Sequence, residues 1–189
     1  MTVITLIEIL HIIIAILSVG YIFTGLLNLK FNKKDVLDAY VKRFDWREFW
    51  FVCMAASPGI ILHEMAHKFV AMGFGLQAFF QVSYFGLILG VIMKLLSTGF
   101  IFLAPGYVII SGANEVQSML TALAGPVINL LLWLLAMMVL KYKETFSRKQ
   151  AVFWNLTLNI NKWLFIFNIL PIPPLDGFKV WIPLFKMIF

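Results

Sequence analysis

The sequence predicts an all-α polytopic membrane protein, a bundle of about four to five transmembrane helices with a short re-entrant β-hairpin. Three observations point there. Of the 189 residues, 62% are hydrophobic and 13% charged, and the mean hydropathy is +0.94; a soluble domain is about half apolar and a quarter charged. The apolar residues gather in runs close to the roughly 20 that a helix needs to cross a hydrocarbon core of about 30 Å. Lys and Arg gather between those runs, from Lys30 to Arg47 and from Lys141 to Lys149. The net charge of +6 therefore reads as loop charge that sets topology and touches anionic lipid, with no nucleic-acid partner. Residues 1–189 are expected to form a single transmembrane domain.

Four segments have the length and composition of crossings, or nearly so. Residues 3–29 can span, and with no basic stretch ahead of them they do not read as a cleavable signal. Residues 49–73 and 116–140 follow. Residues 151–170 are less apolar, because Asn155, Asn159, Asn161 and Lys162 fall inside them. Trp46, Trp50 and Trp154 stand near segment starts, as interfacial anchors do. Residues 79–93 are apolar but short and read as a short helix. In residues 98–110, TGFIFLAPGYVII, β-forming residues flank Pro105-Gly106 and predict the hairpin. Irregular backbone at membrane depth persists only where protein or water satisfies it, so the hairpin is expected to pack on the bundle. One more complete crossing is the alternative. Cys53, the single cysteine, can form no internal disulfide and reads as a small packing residue.

Two of the three histidines stand in the stretch GIILHEMAHKFV, residues 59–70. His63 and His67 are four apart, so they share one face of a helix and can bind one zinc ion. Glu64 is turned about 100° from His63 and can reach a water beside the metal without ligating it, the arrangement of H-E-x-x-H. The bland reading is polar groups satisfied inside a bundle. Ionisable residues inside a membrane helix are costly, however, and are functional candidates by default. Catalytic zinc usually takes three protein ligands. His11 follows Glu8 by three residues, and the two are expected to pair on one helix face or to snorkel to the interface. Asp176, in FNILPIPPLDGF, follows a helix that stops at Pro171 and a chain expected to run extended through Pro173-Pro174. Ligand and turn or N-cap residue are both open for it. In the third segment Ala122, Ala124 and Gly125 allow close helix approach, and Asn129 is either an interhelical hydrogen-bonding residue or a substrate contact.

HEMAH, then AGPVIN (residues 124–129), then NILPIPPLDG (residues 168–177) resemble, in order and separation, the site-2 protease family of intramembrane zinc metalloproteases. The stretch FLAPGYV is similar to the hairpin that follows the first motif in many members. The resemblance covers residues 49–178. It implies His63, His67 and Asp176 as ligands of one Zn2+ per chain and Glu64 as catalytic acid/base. It implies Asn168 as a substrate- or oxyanion-contacting residue, with Gly125, Pro126 and Asn129 in the motif of the intervening helix. The expected activity is hydrolysis of peptide bonds in a membrane-spanning protein substrate by a zinc-activated water, in a multi-pass protein of the cell membrane. No PDZ or CBS domain is visible, and Phe178 replaces a second glycine common in the family. The resemblance places the metal towards the cytosol, whereas the positive-inside rule assigns the basic loops at the opposite helix ends to that side. The alternatives are a zinc-binding transporter, which would have no need of Glu64 as acid/base, and a non-catalytic scaffold.

Overall fold

The computed structural model describes residues 3–25, 44–96 and 104–188. Its elements, in chain order, are α1 (Leu6–Phe23), α2 (Trp46–Gly73), β1 (Gln77–Val82), α3 (Tyr84–Leu95), β2 (Gly106–Ser111), α4 (Glu115–Tyr142), α5 (Arg148–Asn168) and α6 (Asp176–Ile188). The helices start where the sequence supplies caps. Thr5, Asn114 and Ser147 each build a reciprocal capping box with Glu8, Gln117 and Gln150 respectively, and Asp45 accepts two amide hydrogens at the start of α2.

Among the described residues, α1, α2 and α4 are long and apolar enough to cross a membrane. α5 has the length, at 21 residues, but its asparagines and Lys162 keep it out of that group. α3, with 12 residues, spans about 18 Å at 1.5 Å per residue. That is short of the core thickness, so α3 by itself does not make a further complete crossing. Helix α2 lies at the centre: 56% of its most apolar window is buried, against 28% in α1 and 22% in α4. One core joins Val19 of α1 and Val52, Ala56 and Ile60 of α2 to Ile160 and Leu164 of α5. A second joins Ala15 and Met65 to Phe80, Val82 and Leu87 of the strands and α3. Cys53 is buried against Gly20, where a Cβ would collide with its sulfur, as a packing residue should be.

The expected β-structure is present with a different partner. β2 pairs antiparallel with β1, from Gln77 opposite Ser111 to Val82 opposite Gly106; the expected first arm of the hairpin, residues 100–103, lies outside the described residues. Ser83 is the reason the strand was hidden. It ends β1, accepts the Gly86 amide as N-cap of α3, and its own amide donates to Pro105 O. One apolar run thus contains a strand and then a helix. Gly106 has no room for a Cβ, which would sit 2.6 Å from the Phe80 ring.

A second correction concerns Glu8. It neither pairs with His11 nor reaches the interface. Glu8 is 1% exposed and Lys68 of α2 is 1% exposed, and the two form a buried ion pair. Glu8 Oε1 also accepts the Phe80 amide at 2.8 Å, and Oε2 accepts the Thr5 amide at 2.9 Å. One carboxylate thereby ties α1, α2 and β1 together. His11 sits against Phe80 O, with its Nδ1 at 3.3 Å.

Buried pairs of this kind are intolerant of losing one member, because the other charge is left uncompensated. Lys68→Met alone is expected to cost about 3–5 kcal/mol. Glu8→Gln with Lys68→Met should recover part of that, since the amide oxygen still accepts from Phe80 while the bond from the Thr5 amide to the second oxygen is lost. Thermal unfolding of the two variants in one detergent checks this; equal loss in both would show that the charge pair is not what holds the three elements.

Candidate metal centre

His63 and His67 lie in the C-terminal half of α2, on one face and buried. Asp176 opens α6, where a carboxylate is favoured by the positive end of the helix. The expected extended run ahead of it is instead a turn. Ile172 N–H donates to Leu170 O at 2.8 Å and Leu175 N–H to Ile172 O at 2.9 Å, so those carbonyls are consumed locally. Gly177 lets the first turn of α6 seat on the end of α5. A Cβ there would collide with Leu170 O and lie 2.5 Å from Ile169 O. Trp181 Nε1 donates to Ile169 O at 2.8 Å and holds the same junction.

The three side chains meet in a small triangle. His63 Nε2 is 3.0 Å from Asp176 Oδ2, His67 Nε2 is 3.2 Å from the same oxygen, and the two Nε2 atoms are 3.1 Å apart. The other ring nitrogens are already committed. His67 Nδ1 is 2.7 Å from Thr121 O, and His63 Nδ1 is 2.5 Å from Asn129 Oδ1. A carbonyl oxygen only accepts, so Nδ1 carries the hydrogen, and in the neutral ring each Nε2 presents a lone pair. Two lone pairs and a carboxylate then face one another with no donor among them. Such a set needs a cation.

Its dimensions suit zinc. Bonds of about 2.0–2.1 Å at tetrahedral angles put donor atoms about 3.3–3.4 Å apart, close to the observed edges. Ligating histidines also characteristically donate their second N–H to an oxygen. The cradle is completed by an absence, because a Cβ on Gly125 would sit 2.5 Å from His67 Nε2 and 2.6 Å from His63 Cε1. Gly125 therefore clears space for the imidazoles as well as for helix packing.

Glu64 is half-buried next to His63. The charged side chains that act on it are Asp176 and Lys179. Lys179 was not singled out by the sequence, although DGFK places it one helical turn after Asp176. Of the roles open for Asn129, the structure shows the interhelical one. The residue is fully buried and its amide is spent on His63, Gly59 O and Asn161. Asn168 is the last residue of α5 and half-buried. Asn161, which the sequence shows only as one polar residue among several in α5, is 1% exposed and stands directly behind Asn129.

No protein-family model matches the chain, and no solved structure matches it. Two relatives do. The protein named "Putative zinc metalloprotease MJ0611", from Methanocaldococcus jannaschii, is 32% identical over 182 residues, which are 93% of this chain and 85% of that protein. "Putative zinc metalloprotease YwhC", from Bacillus subtilis, is 29% identical over 140 residues, 63% of this chain and 62% of that one. With a donor triad that suits zinc, its two histidines buried, and a relative of this identity along nearly its whole length, the chain belongs to the zinc metalloprotease family of MJ0611.

Proposed function

We propose that the protein is an intramembrane zinc metalloprotease of the site-2 type, a single catalytic domain in the cell membrane that hydrolyses peptide bonds of membrane-spanning protein substrates. The observation that supports this most is that two of the triad's three members, His63 and His67, lie on α2, a helix long and apolar enough to cross a membrane. His63, His67 and Asp176 would hold one Zn2+. When bound, zinc polarises the scissile carbonyl and makes water a nucleophile at neutral pH. The chain's own residues supply the remainder. Glu64 takes a proton from the attacking water and returns it to the leaving amine. Asn168 holds a substrate peptide carbonyl through its amide. Among the described residues β2 belongs to a two-stranded sheet and has one edge beyond β1, and an extended substrate segment docks there by strand addition. Tyr107 and Ile109 point outward from that strand, 48% and 44% exposed. The turn at Leu170–Leu175 offers less backbone for docking than an extended run would.

Purified protein is expected to bind one zinc per chain. His63→Ala, His67→Ala and Asp176→Ala should each weaken binding strongly, and Gly125→Ala should do so without removing a ligand, because its methyl group enters the triangle. Metal analysis settles each case, and full zinc in Asp176→Ala would reject that ligand. Ligation needs the carboxylate of Asp176, so zinc is held at neutral pH and released as pH falls.

Glu64→Gln should retain zinc and lose about 100-fold or more in activity, the usual contribution of general acid–base catalysis. Cleavage at near wild-type rate would remove Glu64 from the mechanism. Zinc binding with no cleavage of any membrane substrate by the wild type would favour a scaffold or transporter.

A helix hides its carbonyls in hydrogen bonds to the residue four ahead, and in lipid each freed backbone group costs several kcal/mol. Gly, Pro or Asn placed near the cut in a substrate helix should therefore speed cleavage, and Leu at the same place should slow it, at constant zinc content. Rates insensitive to substrate helix stability across such a series would point to an already extended juxtamembrane target.

A further inference from the structure

We propose that Asn161 of α5 and Asn129 of α4 are positioning residues that lock His63 in the tautomer able to bind metal, and so set the zinc affinity of the site from a neighbouring helix. The inference deepens the zinc protease reading and rests on it for the identity of the metal.

The argument is a chain of forced hydrogen-bond directions. Asn161 Nδ2 lies 2.8 Å from Thr157 O. A backbone carbonyl has no hydrogen to give, so the nitrogen of the amide must face it, and Oδ1 must face the other way. Asn161 Oδ1 is 2.9 Å from Asn129 Nδ2, and the same Nδ2 is 3.1 Å from Gly59 O. Two acceptors on one side fix the second amide in turn. Its Oδ1 then faces His63 Nδ1 at 2.5 Å and requires a hydrogen there. With Nδ1 protonated, the lone pair of His63 is on Nε2, the atom that faces Asp176 and His67. Both asparagines are sealed from solvent, at 1% and 0% exposure, so water does not compete for these bonds.

Two features show that the relay is built in. Gly59 has no space for a side chain, because a Cβ would lie 2.6 Å from Asn161 Oδ1 and 2.9 Å from its Nδ2. The other asparagines of α5 behave differently. Asn155 and Asn159 are exposed, and each donates to the carbonyl one turn back, at 2.8 Å. Asn161 makes that bond as well and, in addition, spends its oxygen on another helix. His67 takes no part in the relay, since the Thr121 carbonyl holds it. It therefore serves as an internal control.

The full chain has three histidines, so 15N-labelling of histidine in detergent-solubilised protein gives few enough rings to assign by single substitution. In metal-free protein, long-range 1H–15N spectra should show His63 as a single Nδ1–H tautomer. Asn129→Leu should release it into a mixture of tautomers and weaken zinc binding by about 10–100-fold in chelator competition. Asn129→Asp keeps the oxygen that faces His63 and should keep the Nδ1–H tautomer, although its second oxygen then faces Gly59 O and Asn161 Oδ1 without a hydrogen and lowers thermal stability. Asn161→Leu should give a smaller shift in the same direction. His67, held by the Thr121 carbonyl, should keep its Nδ1–H tautomer in all three variants even where the change at His63 Nε2, 3.1 Å away, shifts its Nε2 signal; a folding defect would release both rings. The proposal is overturned if metal-free wild type holds His63 as the Nε2–H tautomer, or if Asn129→Leu leaves both the tautomer and the zinc affinity unchanged. A wild type that shows the Nδ1–H tautomer but binds no zinc would sink the metal reading and leave the relay standing.

Discussion

Three electron-rich atoms brought within about hydrogen-bond distance in a water-poor interior are the constraint around which the rest of the molecule is organised. His63 Nε2, His67 Nε2 and Asp176 Oδ2 repel one another unless a positive charge lies between them. Holding them together takes several elements at once. α2 supplies two on one face. The junction of α5 and α6, closed by Gly177 and the Trp181 bond to Ile169, supplies the third. α4 supplies the oxygens behind both rings and, at Gly125, the space in front of them.

The scaffold is anchored one residue beyond that centre. Lys68 follows His67 directly and is paired with Glu8 inside the protein, and the same carboxylate holds the Phe80 amide. The strand pair is thus tied to the turn of α2 that carries the metal ligands. In the proposed mechanism this has a use, because a docking strand must keep its distance from the reacting atoms, and a loop attached only at its ends would not. The ion pair contributes a fixed register between sheet and site, at a desolvation cost that its extra hydrogen bonds offset in part.

How much could be read from the sequence depended on whether an interaction is local. His63, Glu64 and His67 are neighbours on one helix, so their spacing, together with the cost of ionisable groups inside a membrane helix, pointed to zinc. Asp176 is 113 residues from His63. Its chemistry left ligand and cap open, and only the succession of motifs and then the coordinates brought it to the site. Glu8 and Lys68 are 60 residues apart; each looked like a lone charge, and nothing local joins them. The β1–β2 pair was misassigned because α3 interrupts it and because apolar residues continue through the strand, its end at Ser83 and the helix. Asn161 was seen as polarity in a weak segment. Whether an asparagine bonds back to its own helix or across to another is decided by the facing helix, here by a glycine at position 59, and has no signature in the chain itself.

The central claim is that these three side chains bind zinc, and X-ray absorption at the zinc edge of the purified, metal-loaded protein tests it most directly. The account predicts a four-coordinate zinc with two imidazole nitrogens and oxygen donors, all at about 2.0–2.2 Å, and the loss of one imidazole contribution in His67→Ala. A sulfur scatterer near 2.3 Å, or a spectrum unchanged by that substitution, would contradict it.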